Sequence, residues 1–154
     1  MTFEPSPSLG RVVARLARHL ELALAEVDLS PSQYRVLSYL DQGGAAASAL
    51  ANKLAVTRPS ITAVVDGLVA KGLVERKPDP EDRRRVDHLL THEGRRTLAS
   101  ADAALEHHLS EIAGCATGSS PDAVLDSLSL WRGAMDDHWT ASLPLANPDQ
   151  SVSR

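Results

Sequence analysis

The sequence predicts a mainly α-helical fold with one small β-hairpin, on three observations. Apolar residues recur at steps of three and four over most of the chain, as in amphipathic helices. Two short β-prone runs, 73–77 and 86–90, flank a charged turn. Hydrophobic residues make up 43% of the 154 residues but aromatic ones only 3%, so the core must be built from Ala, Leu and Val, which favours helices.

Three helices are predicted in the N-terminal part. The first runs from about Ser8 to Val27, and its apolar stripe consists of Leu9, Val12, Val13, Leu16, Leu20, Leu24 and Val27. The second starts at Ser30, which can cap it, and Gln33 is spaced to complete a capping box. Two glycines at 43–44 end this helix, and Ser48 begins a short third one.

A fourth helix follows the turn at 55–56. Thr57 is placed to cap it, Pro59 is tolerated in its first turn, and Gly72 ends it. Its apolar stripe is Ile61, Val64, Val65, Leu68 and Val69, which leaves Arg58, Thr62, Ala63 and Asp66 on the solvent side. Helix, turn, helix and hairpin in this order predict a winged helix-turn-helix over residues 30–91.

The C-terminal part is predicted to be helical. Thr91 can cap a fifth helix that runs towards Cys115, and Pro121 opens a sixth. The tail, 144–154, is rich in proline and polar residues and is expected to be disordered. The chain is short enough that we expect a single domain over 1–154.

Charge is unevenly distributed along the chain. Its net charge is -4, which by itself argues against a nucleic-acid ligand. Between Lys53 and Arg96, however, ten basic residues face seven acidic ones, giving +3, while the remaining six basic and thirteen acidic residues give -7. A basic centre between acidic ends is therefore compatible with nucleic-acid binding.

Two motifs, together with the order of elements, resemble the MarR family of bacterial transcriptional regulators. One is Leu-Val-Glu-Arg at 73–76, directly after Lys-Gly at 71–72. The more specific one is Asp-Pro-Glu-Asp-Arg-Arg at 79–84, followed by Leu-Thr-His-Glu-Gly-Arg at 90–95. The resemblance implies a homodimer held by helices within 8–27 and 92–140, a DNA-binding region at 30–91, and a small-molecule pocket between them. Terminal helices with continuous apolar faces independently favour pairing with a second copy.

The fourth helix is the expected major-groove reader and the hairpin the expected wing. The candidate DNA contacts are Thr57, Arg58, Pro59, Ser60, Thr62 and Ala63 on the helix, and Arg83, Arg84 and Arg85 on the hairpin. The wing arginines can enter a minor groove or clamp the backbone. The resemblance further implies that Asp82 orients Arg84, or alternatively Arg83. An exposed helix face and a solvated charged turn are the plain structural alternatives.

Candidate ligand-pocket residues are Arg15, Arg18, His19, Tyr34 and Tyr39, each equally compatible with ordinary surface or core packing. In the family the resemblance points to, such pockets usually take phenolic or otherwise lipophilic anions. No metal site is expected, because His88 and His92 span a strand-to-helix junction and the adjacent pair His107–His108 diverges by roughly 100° on a helix. Cys115 lacks the neighbouring positive charge of a reactive thiol and is expected to be structural or incidental.

The sequence thus predicts a ligand-responsive regulator, most simply a repressor, that binds a pseudo-palindromic operator as a homodimer. No catalytic or nucleotide-binding motif indicates an enzyme, and no cofactor is expected. The N-terminus does not resemble a signal peptide and no apolar run reaches the roughly 20 residues of a membrane span, so we expect a cytoplasmic protein. The alternatives are a winged-helix protein-interaction module and a metal-dependent regulator.

Overall fold

Six helices and a three-stranded sheet make up the part of the chain that the computed structural model describes, residues 8–78 and 86–142. The order is α1 (Leu9–Glu26), α2 (Pro31–Leu40), β1 (Ala45–Ala46), α3 (Ala47–Lys53), α4 (Arg58–Ala70), β2 (Val74–Pro78), β3 (Val86–Leu90), α5 (His92–Gly114) and α6 (Pro121–Ser142). The predicted fold class, mainly helical with a small hairpin, is confirmed. The wing tip, 79–85, and the tail predicted to be disordered lie outside the described residues.

The chain divides into two compact units, the first ending at His108 and the second beginning at Leu109. The first unit contains the sheet and a core of Leu, Val, Ile and Ala, in agreement with the expected lack of aromatic residues. Its most deeply buried large side chains are Val36, Leu37, Leu50, Ile61, Val65 and Leu68. The second unit contains α6, on which Leu130, Trp131 and Met135 are largely exposed. Among the described helices, none is long and apolar enough to cross a membrane.

Local capping explains where α2 begins. The Ser30 hydroxyl accepts a hydrogen bond from the Gln33 amide at 3.2 Å, and the Ser30 amide donates to the Gln33 side-chain oxygen at 3.1 Å. This is the predicted capping box, and it satisfies two amides that a helix start would otherwise leave unpaired. The prediction from sequence spacing is therefore confirmed.

The start of the third helix was predicted one residue too late. Helix α3 begins at Ala47, so Ser48 lies inside its first turn, and Ala46 at the N-cap makes no side-chain hydrogen bond. The start is set instead by β1, whose two residues pair antiparallel with β3 in the register Ala45 to His88. This short strand was not predicted, because two alanines carry no β-strand signal of their own.

The sheet holds the hairpin against the helices. Its strand order is β1-β3-β2, and β2 pairs with β3 from Val74 opposite Leu90 to Pro78 opposite Val86. His88 is almost fully buried, and its Nδ1 lies 3.1 Å from the Ala45 carbonyl oxygen. Since a carbonyl only accepts, Nδ1 must be the donor, and the ring ties β3 to β1.

Candidate nucleic-acid interface

A tight turn joins α3 to α4. The Leu54 amide donates to the Leu50 carbonyl at 2.9 Å, and the Val56 amide donates to the Ala51 carbonyl at 3.0 Å. Between them Ala55 has a φ of 52°, a left-handed conformation that glycine adopts more easily. Because only four residues, 54–57, separate the two helices, α3 and α4 form the helix-turn-helix that the sequence predicts.

The N-terminus of α4 is capped as predicted. The Thr57 hydroxyl accepts a hydrogen bond from the Ser60 amide at 3.3 Å and lies 2.8 Å from the Ser60 hydroxyl. Pro59 lies in the first turn, where its missing amide proton leaves no bond unmade. All four residues from Thr57 to Ser60 are exposed. Remaining first-turn amides and the positive end of the helix dipole make this end suitable for a phosphate.

The two faces of α4 have opposite character. Ile61, Val65 and Leu68 are buried, at 2% exposure or less, and fix the helix to the core. The candidate DNA-contact residues Arg58, Thr62 and Ala63 are exposed on the other side. The side chains there are short apart from Arg58, so a second molecule can approach the helix closely.

Thr62 has a defined hydrogen-bonding capacity. Its hydroxyl donates to the Arg58 carbonyl at 2.9 Å, so its proton is already used within the helix. The oxygen can still accept, and the methyl group can make apolar contact. Those properties match the amino groups of adenine or cytosine and the thymine methyl, all of which lie in the major groove.

Backbone and side-chain bonds fix the base of the hairpin. Thr91 donates through its amide to the Leu73 carbonyl at 3.1 Å and through its hydroxyl to the Gly72 carbonyl at 2.7 Å. The same hydroxyl accepts from the Gly94 amide at 2.9 Å, which is the predicted cap of α5. Gly72 itself has a φ of 71° and ends α4 as predicted.

The predicted wing contacts cannot be located. Asp82, Arg83, Arg84 and Arg85 lie outside the described residues, so their assignment as DNA contacts, and that of Asp82 as an orienting group, stay predictions. The described strands lead directly to this segment, since Pro78 and Val86 are its two flanking residues and pair with each other.

An ion pair that was not predicted joins α4 to the hairpin. The Arg76 guanidinium on β2 donates to the Asp66 carboxylate on α4, and both side chains are about half exposed. Alternation was the available signal: Arg76 is two residues after buried Val74 and therefore on the same face of the strand. The face that Arg76 shares with Val74 is the one directed towards the helices, and there its guanidinium meets Asp66.

Of the predicted ligand-pocket residues, Tyr34 lines a cavity. This cavity, of about 260 Å³, lies within the first unit and is lined by Ala17, Leu20, Glu21, Leu24, Pro31, Tyr34, Arg35 and Leu105. The Tyr34 hydroxyl donates to the Asp102 carboxylate at 2.7 Å. Burial, and secondly this hydrogen bond to an anion, raise the pKa of Tyr34 to about 12.

The other four pocket candidates do not line that cavity. Arg15 is exposed, Arg18 forms an exposed ion pair with Glu21, and Tyr39 packs against the core. His19 lies against His108, with ring nitrogens 3.2 Å apart. Their assignment to a ligand site remains a prediction from sequence.

The remaining candidates for chemistry are dispersed. His88 is committed to the sheet, and no group of three or more potential metal ligands occurs within residues 8–78 and 86–142. Cys115 is exposed, and its thiol donates to the Glu111 carbonyl at 3.5 Å. The exposed face of α4 is thus the described surface that combines capped amides, a cation and short polar groups.

Comparisons with known proteins agree with this geometry. A MarR-family model matches residues 27–85. An HTH-type transcriptional regulator of Mycobacterium leprae is 34% identical over 67% of this chain and 73% of its own. An HTH-type transcriptional regulator of Mycobacterium tuberculosis is 29% identical over 84% of this chain and 91% of its own.

Two solved structures are similar over most of their length. The transcriptional repressor CouR, bound to a 23-mer DNA duplex, has a TM-score of 0.67 and 32% identity, covering 80% of this chain and 89% of CouR. Apo MarR from E. coli has a TM-score of 0.70 and 25% identity, covering 86% of this chain and 99% of MarR.

Proposed function

The chain belongs to the MarR family of transcriptional regulators, and on that premise we propose that it binds double-stranded DNA as a homodimer and controls transcription, most simply as a repressor. The observation that carries the proposal is the exposed face of α4, with its capped N-terminus at Thr57 and a fixed hairpin beside it. CouR, similar over 80% of the chain, is itself a repressor bound to DNA.

In this proposal α4 enters the major groove with its N-terminal end leading. Arg58 contacts a guanine edge or a phosphate, Thr62 accepts from a base amino group, and Ala63 packs on a thymine methyl. The positive end of the α4 dipole and the first-turn amides that the Thr57 hydroxyl does not bond hold a phosphate, and Pro59 holds the first turn in helical geometry. Arg83, Arg84 and Arg85, with Asp82, supply the wing contacts to the adjacent groove or backbone.

Exposed apolar surface supports the proposed homodimer. On α1, Leu9 and Val13 are 77% and 64% exposed. On α6, Leu130, Trp131 and Met135 are 60% exposed or more. Large apolar side chains at helical spacing are unfavourable in water, and a second copy can cover both sets. A two-fold dimer would present two α4 helices to half-sites roughly 10 base pairs apart on a pseudo-palindromic operator.

We further propose that a small apolar effector binds in the cavity beside Tyr34 and Arg35. Its lining is largely aliphatic, and its two charged members, Glu21 and Arg35, have opposite signs, so an apolar molecule fits it best. Such an effector releases DNA if it binds more tightly to a dimer whose two DNA-binding regions are spaced differently than in the DNA complex. The size of the effect is set by the difference between its affinities for the two arrangements. Because the proposed partner is chromosomal DNA, we place the protein in the cytoplasm.

Fluorescence anisotropy at several salt concentrations tests the DNA-binding proposal. The probe is a duplex selected by the wild-type protein from a random pool. Arg58→Ala should weaken binding and, if Arg58 of both copies contacts a phosphate, should make the plot of log affinity against log salt shallower by about two. Arg18→Ala removes an equal charge from α1 and should change neither quantity.

Two results would contradict the proposal. If no duplex is bound at low salt while the dimer is intact, DNA is not the partner and a protein-interaction module is favoured instead. If Arg58→Ala, like Arg18→Ala, leaves the affinity and its salt dependence unchanged, α4 is not the contact surface. Arg84→Ala applies the same test to the wing, where unchanged affinity and slope would remove Arg84 from the proposed interface.

A further inference from the structure

The Asp66–Arg76 ion pair joins α4 to the hairpin, the two elements proposed to contact DNA. Neither residue has a role in the DNA contacts proposed so far. Asp66 lies on α4, and Arg76 lies on β2, the first strand of the hairpin. The connection between them along the chain is short, since only Lys71, Gly72 and Leu73 separate the helix from the strand.

Asp66 occupies an unfavourable place for a carboxylate. It follows Arg58 and Thr62 at steps of four, so it lies on the same exposed face of α4, roughly 12 Å along the helix axis from Arg58. A negative charge on a DNA-facing surface repels phosphates. Charge alone therefore predicts that removing the Asp66 carboxylate strengthens DNA binding.

Arg76 is turned towards the helix by the register of the hairpin. It pairs with His88 across the strands, and cross-strand partners share a face of the sheet. His88 is buried, as is Val74 two residues before Arg76. Glu75 and Lys77 on the opposite face pair with each other, at 3.0 Å. Arg76 is thus the cation of this strand that reaches α4.

The ion pair lies between a fixed base and the segment at 79–85. The base is held through Leu73 and Gly72 by Thr91, as described above. From Val74 to Pro78 a strand extends by roughly 13 Å, so a 10° rotation about the base moves its far end by about 2 Å. That displacement exceeds the tolerance of a hydrogen bond, about 0.5 Å.

We propose that Asp66 and Arg76 are positioning residues that fix the angle of the hairpin against α4, so that both elements reach their DNA contacts at once. The inference rests on the proposed DNA-binding function. The Asp66 carboxylate repels phosphates and so lowers DNA affinity. Correct placement of the hairpin raises the affinity for the specific sequence by more than that repulsion lowers it.

Asp66→Asn should change DNA affinity in opposite directions if Asp66 positions the hairpin and if it acts only by repelling phosphates. Positioning predicts that affinity for the selected duplex falls by about three- to tenfold, while affinity for a scrambled duplex of equal length stays the same or rises slightly. Charge alone predicts tighter binding to both duplexes. Glu75→Gln is the matched control, because it removes an equal charge from β2, next to Arg76, but leaves the Asp66–Arg76 pair intact, and it should follow the charge-only expectation.

A charge swap separates positioning from direct contact. The double variant Asp66→Arg with Arg76→Asp restores an ion pair in reverse, so positioning predicts that it recovers most of the ratio of selected to scrambled affinity lost in each single variant. If Arg76 itself contacts DNA, the swap does not recover that ratio, and the proposal is overturned.

Thermal melting checks that each variant is folded, and the expected change in Tm is small because a pair this exposed contributes little to stability. Failure of the inference is distinguishable from failure of the proposed function. If the wild-type protein binds no duplex, the proposed function fails. If the wild-type protein binds and Asp66→Asn binds the selected duplex equally or more tightly, only the positioning role is refuted.

Discussion

Replacing Gly94 with alanine should destabilise the protein, although alanine is the better helix former. Gly94 lies in the first turn of α5, where an added Cβ would be 2.0 Å from the Leu73 carbonyl oxygen and 3.0 Å from its carbon. Relieving this contact requires about 1 Å of movement between α5 and the base of the hairpin. That movement would break the 3.1 Å bond from the Thr91 amide to the same carbonyl.

The magnitude follows from three terms. Overpacking costs about 1–3 kcal/mol, and the lost hydrogen bond costs about 1 kcal/mol. The higher helix propensity of alanine returns about 1 kcal/mol. The net loss in the free energy of unfolding is about 1–3 kcal/mol, or a fall in Tm of about 3–10 °C for a chain of this size.

Thermal melting followed by circular dichroism measures this effect, at one protein concentration because a dimer's Tm depends on it. Gly67→Ala in α4 is the control: its Cβ would lie 3.5 Å from the Gln33 side chain, an ordinary contact, so helix propensity alone should raise Tm by about 2 °C. If Gly94→Ala raises Tm as Gly67→Ala does, the close approach of α5 to Leu73 is refuted.

Two further predictions concern the turn and the tyrosine. Ala55→Gly should raise the free energy of unfolding by about 0.5–1 kcal/mol, measured by urea titration, because glycine removes the left-handed strain at Ala55; a loss of stability would contradict this. The pKa of Tyr34, raised to about 12, means that the unfolded chain ionises first, so stability should be full below pH 10 and fall between pH 10 and 12. Tyr34→Phe should remove that part of the alkaline loss, and an identical pH profile in both proteins would refute the shift.

Local signals were sufficient to predict most of the elements. Three of these signals each depend on no more than four neighbouring residues, and the structure has all three: the capping box at Ser30, the cap at Thr57 and the end of α4 at Gly72. Hydrophobic spacing likewise predicted which face of α4 is buried, because the period of a helix determines which residues share a side. The exposed half of the candidate site follows directly from that assignment.

Contacts between distant residues could not be read from spacing. Strand β1 exists because it pairs with β3, more than 40 residues later, and that pairing also places the start of α3 ahead of Ser48. The bond from Tyr34 to Asp102 and the contact of His19 with His108 likewise join separate helices. Such pairs depend on how helices pack, which periodicity along one helix does not specify.

If the exposed face of α4 reads DNA bases, binding-site selection with Thr62→Ala should change the sequence that the protein prefers. The matched control is Ser100→Ala on α5, since both hydroxyls are exposed and donate to the carbonyl four residues earlier. Wild-type protein and Ser100→Ala should select the same pseudo-palindromic sequence, whereas Thr62→Ala should lose or change the preference at one symmetric position in each half-site. An identical selected sequence from all three proteins would contradict the assignment of α4 as the reading helix.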